Sequence, residues 1–212
     1  MNFQEFLTII SKIKSLPLGG LKDQFKLAPS IRLGYDAEKI KALEPRKAAV
    51  LILFYPNHKN DASFLLTKRA SYSGTHSAQI SFPGGKFEIS DESLHNTALR
   101  ESYEEVGVPS KKVNIFKEIT DVYIPPSNFL VTPFMGYSLQ KPSFKINNEV
   151  DQIIEVSVTD LLNDKNIGSI EIETSYMKKT SVPCFQLNNF TVWGATAMML
   201  SEIKESIIKS QL

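Results

Sequence analysis

Three glutamates crowd one end of the segment GGKFEISDESLHNTALRESYEEVGV, which runs from Gly84 to Val108. Glu101, Glu104 and Glu105 stand three or four residues apart or adjacent. On a helix, like charges at the wider spacing each cost about a few tenths of a kcal/mol, and a C-terminal position adds a similar penalty. An ordinary solvated surface tolerates costs of that size, so an acidic outer face accounts for the glutamates about as well as a site does. A divalent cation would reverse the sign of the interaction, because Mg²⁺ is a hard ion that prefers carboxylate oxygens and commonly bridges them to phosphates. Pro83-Gly84-Gly85 just upstream shifts the balance toward the cation. Two glycines let backbone carbonyl and N–H groups come close to a metal or phosphate, although taken alone they also suit a tight strand-to-loop turn.

The acids need a helix to hold them. Ser93 is a good N-cap and Gly107 suits the left-handed residue past the end, so the spacing predicts a helix from Leu94 to Val106. Leu99, Ser102, Tyr103 and Val106 should pack, with the three glutamates on the opposite, outward face. Arg100, four residues before Glu104, can pair with one acid but cannot neutralise three.

Around this helix the pattern is mixed. The apolar run Ala48 to Pro56 reads as a buried strand and Ser63 to Arg69 as its hairpin partner. Further strands are predicted at Val113–Thr120, Phe129–Leu139, Ser169–Met177 and Pro183–Leu187, and helices at residues 1–15, 37–43, 158–163 and 196–210. Residues 21–46 are otherwise polar and irregular. Strands interleaved with helices in this order imply an α/β protein with a mixed sheet between helical layers.

The whole chain sets the outer limits. Its 212 residues suffice for one core, read here as one domain with an N-terminal extension. The balance of 24 basic against 23 acidic residues points to neither nucleic acid nor an anionic membrane. The single Cys184 cannot form an internal disulfide, lacks neighbours at zinc-ligand spacing, and reads as a buried structural thiol. Residues 1–20 have amphipathic helical spacing at Phe3, Phe6, Leu7, Ile10 and Ile13 but no signal-peptide core or cleavage site. No run approaches the roughly 20 apolar residues of a membrane span. The final Ser210-Gln211-Leu212 lacks the basic middle residue of a peroxisomal address, so a cytoplasmic protein is expected. The N-terminal helix packs on its own domain or on a second subunit, and a homodimer is weakly favoured.

Taken together, the glycines, the loop, an acid and then Arg-Glu-x-x-Glu-Glu-x-Gly-hydrophobic resemble the Nudix box of hydrolases acting on nucleoside diphosphates linked to another group. Asp91 meets the spacing from the glycine and Glu92 the spacing to the arginine, so the loop is one residue longer; Ser102 takes a position usually aliphatic. That insertion also occurs in the coenzyme A pyrophosphatase branch, whose upstream signature is similar to Leu65-Leu66-Thr67-Lys68-Arg69-Ala70 and Ser77-Ala78-Gln79-Ile80-Ser81-Phe82-Pro83-Gly84-Gly85. Gly74 stands where the branch usually has Arg, and Ala78 where it usually has Gly. Val131-Thr132-Pro133-Phe134 with Gly136, Asn148-Glu149-Val150 and Trp193-Gly194-Ala195-Thr196-Ala197 also match. The resemblance covers residues 46–212 and leaves residues 1–45 as an extension without a motif.

The resemblance implies a Nudix fold, an α/β/α sandwich with a central mixed sheet, and an Mg²⁺- or Mn²⁺-dependent enzyme. Its substrate would be coenzyme A or an acyl-CoA, split into 3′,5′-ADP and 4′-phosphopantetheine or its acyl form. Glu101 and Glu105 are the first-choice metal ligands, and Glu104 and the Gly85 carbonyl complete the set. Arg100 orients a glutamate, or else is a surface ion pair of little weight. Glu149 is the candidate general base, with an ordinary turn acid as the equal alternative, and Glu104 is the fallback. Arg69 is the best phosphate ligand, since guanidinium binds phosphate bidentately. Lys68 and Lys86 either assist or face solvent, and His76 and Gln79 line the cleft, although a lone His is usually structural. The alternatives are a hydrolase of ADP-ribose, dinucleotides or modified nucleoside triphosphates, and a catalytically silent nucleotide-binding module.

Overall fold

The computed structural model describes residues 1–70, 79–174 and 177–212. Helices α1 (Phe3–Ser15), α2 (Gly20–Gln24) and α3 (Ala37–Ala42) precede strands β1 (Arg46–Pro56), β2 (Ala62–Arg69), β3 (Ile80–Ser81) and β4 (Gly84–Lys86). Helix α4 (Leu94–Val106) is followed by β5 (Asn114–Glu118), β6 (Val122–Ile124), β7 (Phe129–Tyr137) and β8 (Val150–Ser157). Helix α5 (Val158–Leu162), the strands β9 (Ile167–Thr174), β10 (Met177–Leu187) and β11 (Phe190–Trp193), and helix α6 (Gly194–Ser210) complete the chain.

Strand β1 organises the main sheet. It runs parallel to β7 from Arg46 to Phe54, while its other edge takes β4 at Ala48–Val50 and β2 at Phe54–Pro56, both antiparallel. β6 and β5 pair with β7, and β8 and β3 with β2, so the sheet is mixed; β9, β10 and β11 form a separate antiparallel sheet. Ala48, Ile52 and Phe54 join one core with α1 and α6; Ala49, Leu51, Leu53 and Tyr55 join a second with Ala98 and Val106 of α4. A strand covered on both faces is apolar throughout rather than alternating, which is why this run stands out in the sequence. The result is an α/β/α sandwich around a mixed sheet.

The N-terminal residues are part of this packing. Asn2 and Glu5 close a capping box at the start of α1. Phe3, Phe6, Ile10 and Ile13 are buried in the core shared with α6, so the chain itself covers that apolar face. The last carbonyls of α1 and its cap, those of Ile13, Lys14 and Leu16, accept from the Lys117 ammonium, which satisfies groups the helix leaves unpaired. The fully buried Glu202 of α6 accepts from the Gly19 and Gly20 N–H groups, the Gln24 amide and the Thr120 hydroxyl, tying the following segment down. Part of the stretch expected to be irregular is thus helical α2. Cys184 is buried, and burial pushes its thiol pKa up, as suits a structural thiol.

The short strands β3, β4, β6 and β11 were not expected, because two to four residues carry no readable period. β10 begins at Met177 rather than Pro183; its polar first half is a strand because β9 supplies the hydrogen bonds.

Candidate active site

Helix α4 has the expected caps. The Ser93 hydroxyl accepts from Asn96 N, and Gly107 closes the helix at φ 72°. Its faces differ from the expected ones. Tyr103 is 61% exposed and Glu105 only 3%, so the buried side comprises Thr97, Ala98, Ser102, Glu105 and Val106. The expectation that all three acids face outward is corrected: α4 packs across β1 and β4, and the Gly-Gly strand β4 leaves room for carboxylates where side chains would otherwise stand. A Cβ on Gly85 would lie 2.4 Å from a Glu101 oxygen, and one on Gly84 would lie 2.3 Å from the Ala49 carbonyl oxygen. These glycines are therefore required by close approach.

The carboxylates are held from both sides. Gly84 N–H donates to Glu105 at 3.0 Å, and an Arg69 N–H reaches the other Glu105 oxygen at 3.4 Å. Burial pushes the Glu105 carboxyl up to about 7 against these two contacts. Burial also raises Glu101, with Arg100 opposing. Arg100 forms a bidentate pair with Asp91, at 2.6 and 3.0 Å, and its other N–H groups reach Glu101, Glu104 and the Lys86 carbonyl oxygen. The guanidinium hydrogen bond holds the buried Asp91 down at about 2. Asp91 is thus the acid that anchors Arg100. Glu92 is exposed and left-handed at φ 63°, so the extra loop residue is taken up there.

Ser102, at the position usually aliphatic, is buried with a hydroxyl that has no partner among the described residues. Removing an unsatisfied buried polar group relieves a desolvation cost of about 1 kcal/mol or more. Ser102→Ala is therefore expected to raise the melting temperature by about 2–4 °C, the scale for a chain of this size, and calorimetry showing a decrease would refute this reading.

The other candidate residues gather on one cavity of about 540 Å³, within the range of small-molecule sites. Its lining includes Arg69, Gln79, Gly85, Lys86, Arg100, Glu101, Glu104 and Glu149. Arg69 is bracketed by Glu105 and, at 3.5 Å, by Glu149, and its buried Nε has no partner among the described residues. Glu104 and Glu149 are half exposed or more. Lys68 instead pairs with Asp151 at 2.6 Å and is not part of the lining. His76, Gly74 and Ala78 lie outside the described residues. Pro29, Ile31, Arg32 and Trp193–Thr196 also line the cavity; only Trp193 to Thr196 had a sequence signal, and the 29–32 segment had none.

Among the described residues, no three His, Cys, Asp or Glu side chains stand close enough to hold an ion as placed, since Arg69 and Arg100 lie against the glutamates. The donor chemistry nevertheless fits a hard divalent cation: two desolvated carboxylates with raised pKa, beside a backbone held close by glycines. Glu101 and Glu105 would hold it, with Glu104 and the Gly85 carbonyl adjacent.

Comparison with known proteins identifies the family. The family model for the NUDIX domain matches residues 45–173. A relative described as "Uncharacterized Nudix hydrolase NudL" from Yersinia pestis (strain Pestoides F) is 30% identical over 163 residues, 76% of this chain and 80% of the relative. Two solved structures share the fold. The MutT/nudix family protein from Enterococcus faecalis has a TM-score of 0.54 at 12% identity, covering 99% of this chain and 70% of its own. The Nudix hydrolase RenU from M. smegmatis has a TM-score of 0.52 at 17% identity, covering 79% and 88%. Nudix hydrolases act on nucleoside diphosphate derivatives and generally need divalent metal ions, and by its family match, its NudL relatives and its fold this chain belongs to the NUDIX domain family.

Proposed function

We propose that the chain is a cytoplasmic, Mg²⁺- or Mn²⁺-dependent hydrolase of the diphosphate bond of coenzyme A or its thioesters, releasing 3′,5′-ADP and 4′-phosphopantetheine or its acyl form. One observation carries the reading. The upstream segment that resembles the coenzyme A branch, represented by Arg69 and Gln79–Phe82, lines the same cavity as Glu101 and Glu104.

A divalent cation, when bound, lowers the pKa of a water and neutralises phosphoryl oxygens. The chain's residues supply the rest. Glu149, at the mouth of β8, accepts the proton of the attacking water directly or through a second water, and Glu104 is the alternative base. Arg69, on the cavity lining between Glu105 and Glu149, binds a phosphate through its guanidinium. Arg100, fixed by Asp91, orients Glu101 and Glu104. Gln79 and Lys86 line the cleft for substrate, as His76 does by resemblance.

Hydrolysis of ADP-ribose or another nucleoside diphosphate derivative is the second reading, supported by Gly74 in place of the branch arginine. Mass spectrometry of products from coenzyme A, acetyl-CoA and ADP-ribose, each with Mg²⁺ and with Mn²⁺, separates the two. The expected product is 3′,5′-ADP. Much faster turnover of ADP-ribose would favour the second reading, and no product with any substrate or metal would favour a silent binding module.

A further inference from the structure

Half of the cavity is left unexplained by metal and phosphate chemistry. Arg69 at the end of β2, Gln79 just before β3 and Glu149 just before β8 mark its polar side. The opposite side is formed by Ile124, Pro126 and Phe129 around the β6–β7 connection, with Pro29 and Ile31 beside them. β6 pairs with β7, β7 with β1, and β1 with β2, so the two sides come from different strands of one sheet. Pro29 and Ile31 precede the matched residues 45–173, and Trp193–Thr196 follow them. Of these, only Pro29 and Ile31 come from a segment with no counterpart in the resemblance, so the residues before the domain add to the wall of a family site.

The chemistry of that wall is narrow. Among the described lining residues of segments 29–32, 124–131 and 193–196, those with a hydroxyl or a charge are Arg32, Ser127 and Thr196. Arg32 donates to the Tyr123 carbonyl and Thr196 to the Ile80 carbonyl, while the buried Ser127 hydroxyl has no partner among the described residues. A second sugar on the diphosphate would bring several hydroxyls to this wall, each needing a partner, and a buried polar group left unpaired is costly. An aliphatic arm with an occasional amide meets Ile31, Ile124 and Phe129 without that cost, and one amide can use Ser127.

We propose that this wall selects an uncharged, largely aliphatic arm attached to the diphosphate, with Ile31 and Ser127 as specificity-determining residues. The proposal rests on the reading of the site as a coenzyme A diphosphatase, since the pantetheine arm is uncharged and sets its dimethyl group and methylenes between one hydroxyl and two amides. The test is steady-state kinetics of the full chain with Mg²⁺ on coenzyme A and on ADP-ribose. Ile31 is 38% exposed, so a polar replacement there opens no core cavity. Ile31→Asn is expected to raise KM for coenzyme A about tenfold with kcat within about twofold, the pattern of lost uniform binding, and to leave KM for ADP-ribose without a rise. Ser127→Ala should raise KM for coenzyme A about threefold, and Ile31→Val, which keeps the wall apolar, should retain it. If wild type splits coenzyme A while Ile31→Asn and Ser127→Ala both keep its KM, the wall is overturned and the coenzyme A reading stands. If wild type splits ADP-ribose and not coenzyme A, that reading falls and the wall falls with it.

Discussion

Glu105→Gln is expected to lower kcat by about a thousandfold, equivalent to about 4 kcal/mol of transition-state stabilisation, while leaving the fold intact. Glutamine keeps the volume and an oxygen for the Gly84 N–H at 3.0 Å, but removes the charge that the proposed metal role requires. The effect on stability has the opposite sign. Burial raises the Glu105 carboxyl to about 7, above its ordinary 4.5. In protein stripped of divalent ions, its ionisation therefore withdraws stability as pH rises from about 4.5 through about 7, because the unfolded chain gives up the proton first. Glutamine has no such term. Calorimetry in EDTA should find the variant at least as stable as wild type at pH 8. Added Mg²⁺ should raise the melting temperature of wild type and not of the variant. Activity within tenfold of wild type, or an equal Mg²⁺ response, would remove Glu105 from the metal site.

Asp91→Asn is expected to act mainly on stability, by about 2–3 kcal/mol. That is somewhat below the range for a fully buried pair, because Arg100 is 24% exposed. The melting temperature should fall by about 5–10 °C. An Arg100 without its anchor also positions Glu101 and Glu104 less well, and loss of such an outer partner lowers activity about 10- to 100-fold. The pH dependence has a fixed sign. Asp91 has its pKa depressed from 3.8 to about 2, so its contribution is present above about pH 4 and is lost as pH falls from 4 toward 2. The acid limb of the wild-type stability curve should flatten in Asp91→Asn. Glu92→Gln is the control, since Glu92 is exposed and should change stability by less than about 0.5 kcal/mol. A larger loss at Glu92 than at Asp91 would mean that the loop residue was assigned to the wrong acid.

These two residues show how far local reasoning reaches. The ends of α4 were legible because capping depends on Ser93, Gly107 and a few neighbouring backbone groups. β1 was legible because a strand buried on both faces is apolar along its length. The glutamates, the glycines and the arginine also carried the resemblance to the family. Which glutamate is buried was not legible: helical periodicity placed Tyr103 inside and Glu105 outside, and the packing of α4 on a Gly-Gly strand inverted that pair. Spacing likewise left Asp91 and Glu92 as rivals, and only the position of the Arg100 guanidinium separated them.

The residue chemistry and the helix with its caps were thus written in short stretches of chain, because each depends on interactions spanning a few residues, and β1 showed itself by its unbroken apolar run. The burial of Glu105, the choice of Asp91 and the apolar wall came from tertiary packing. Ile31, Ile124 and Trp193 share one cavity although they lie far apart in the chain. No local pattern encodes that meeting; the order of strands in the sheet and the docking of the N-terminal segment against α6 bring it about.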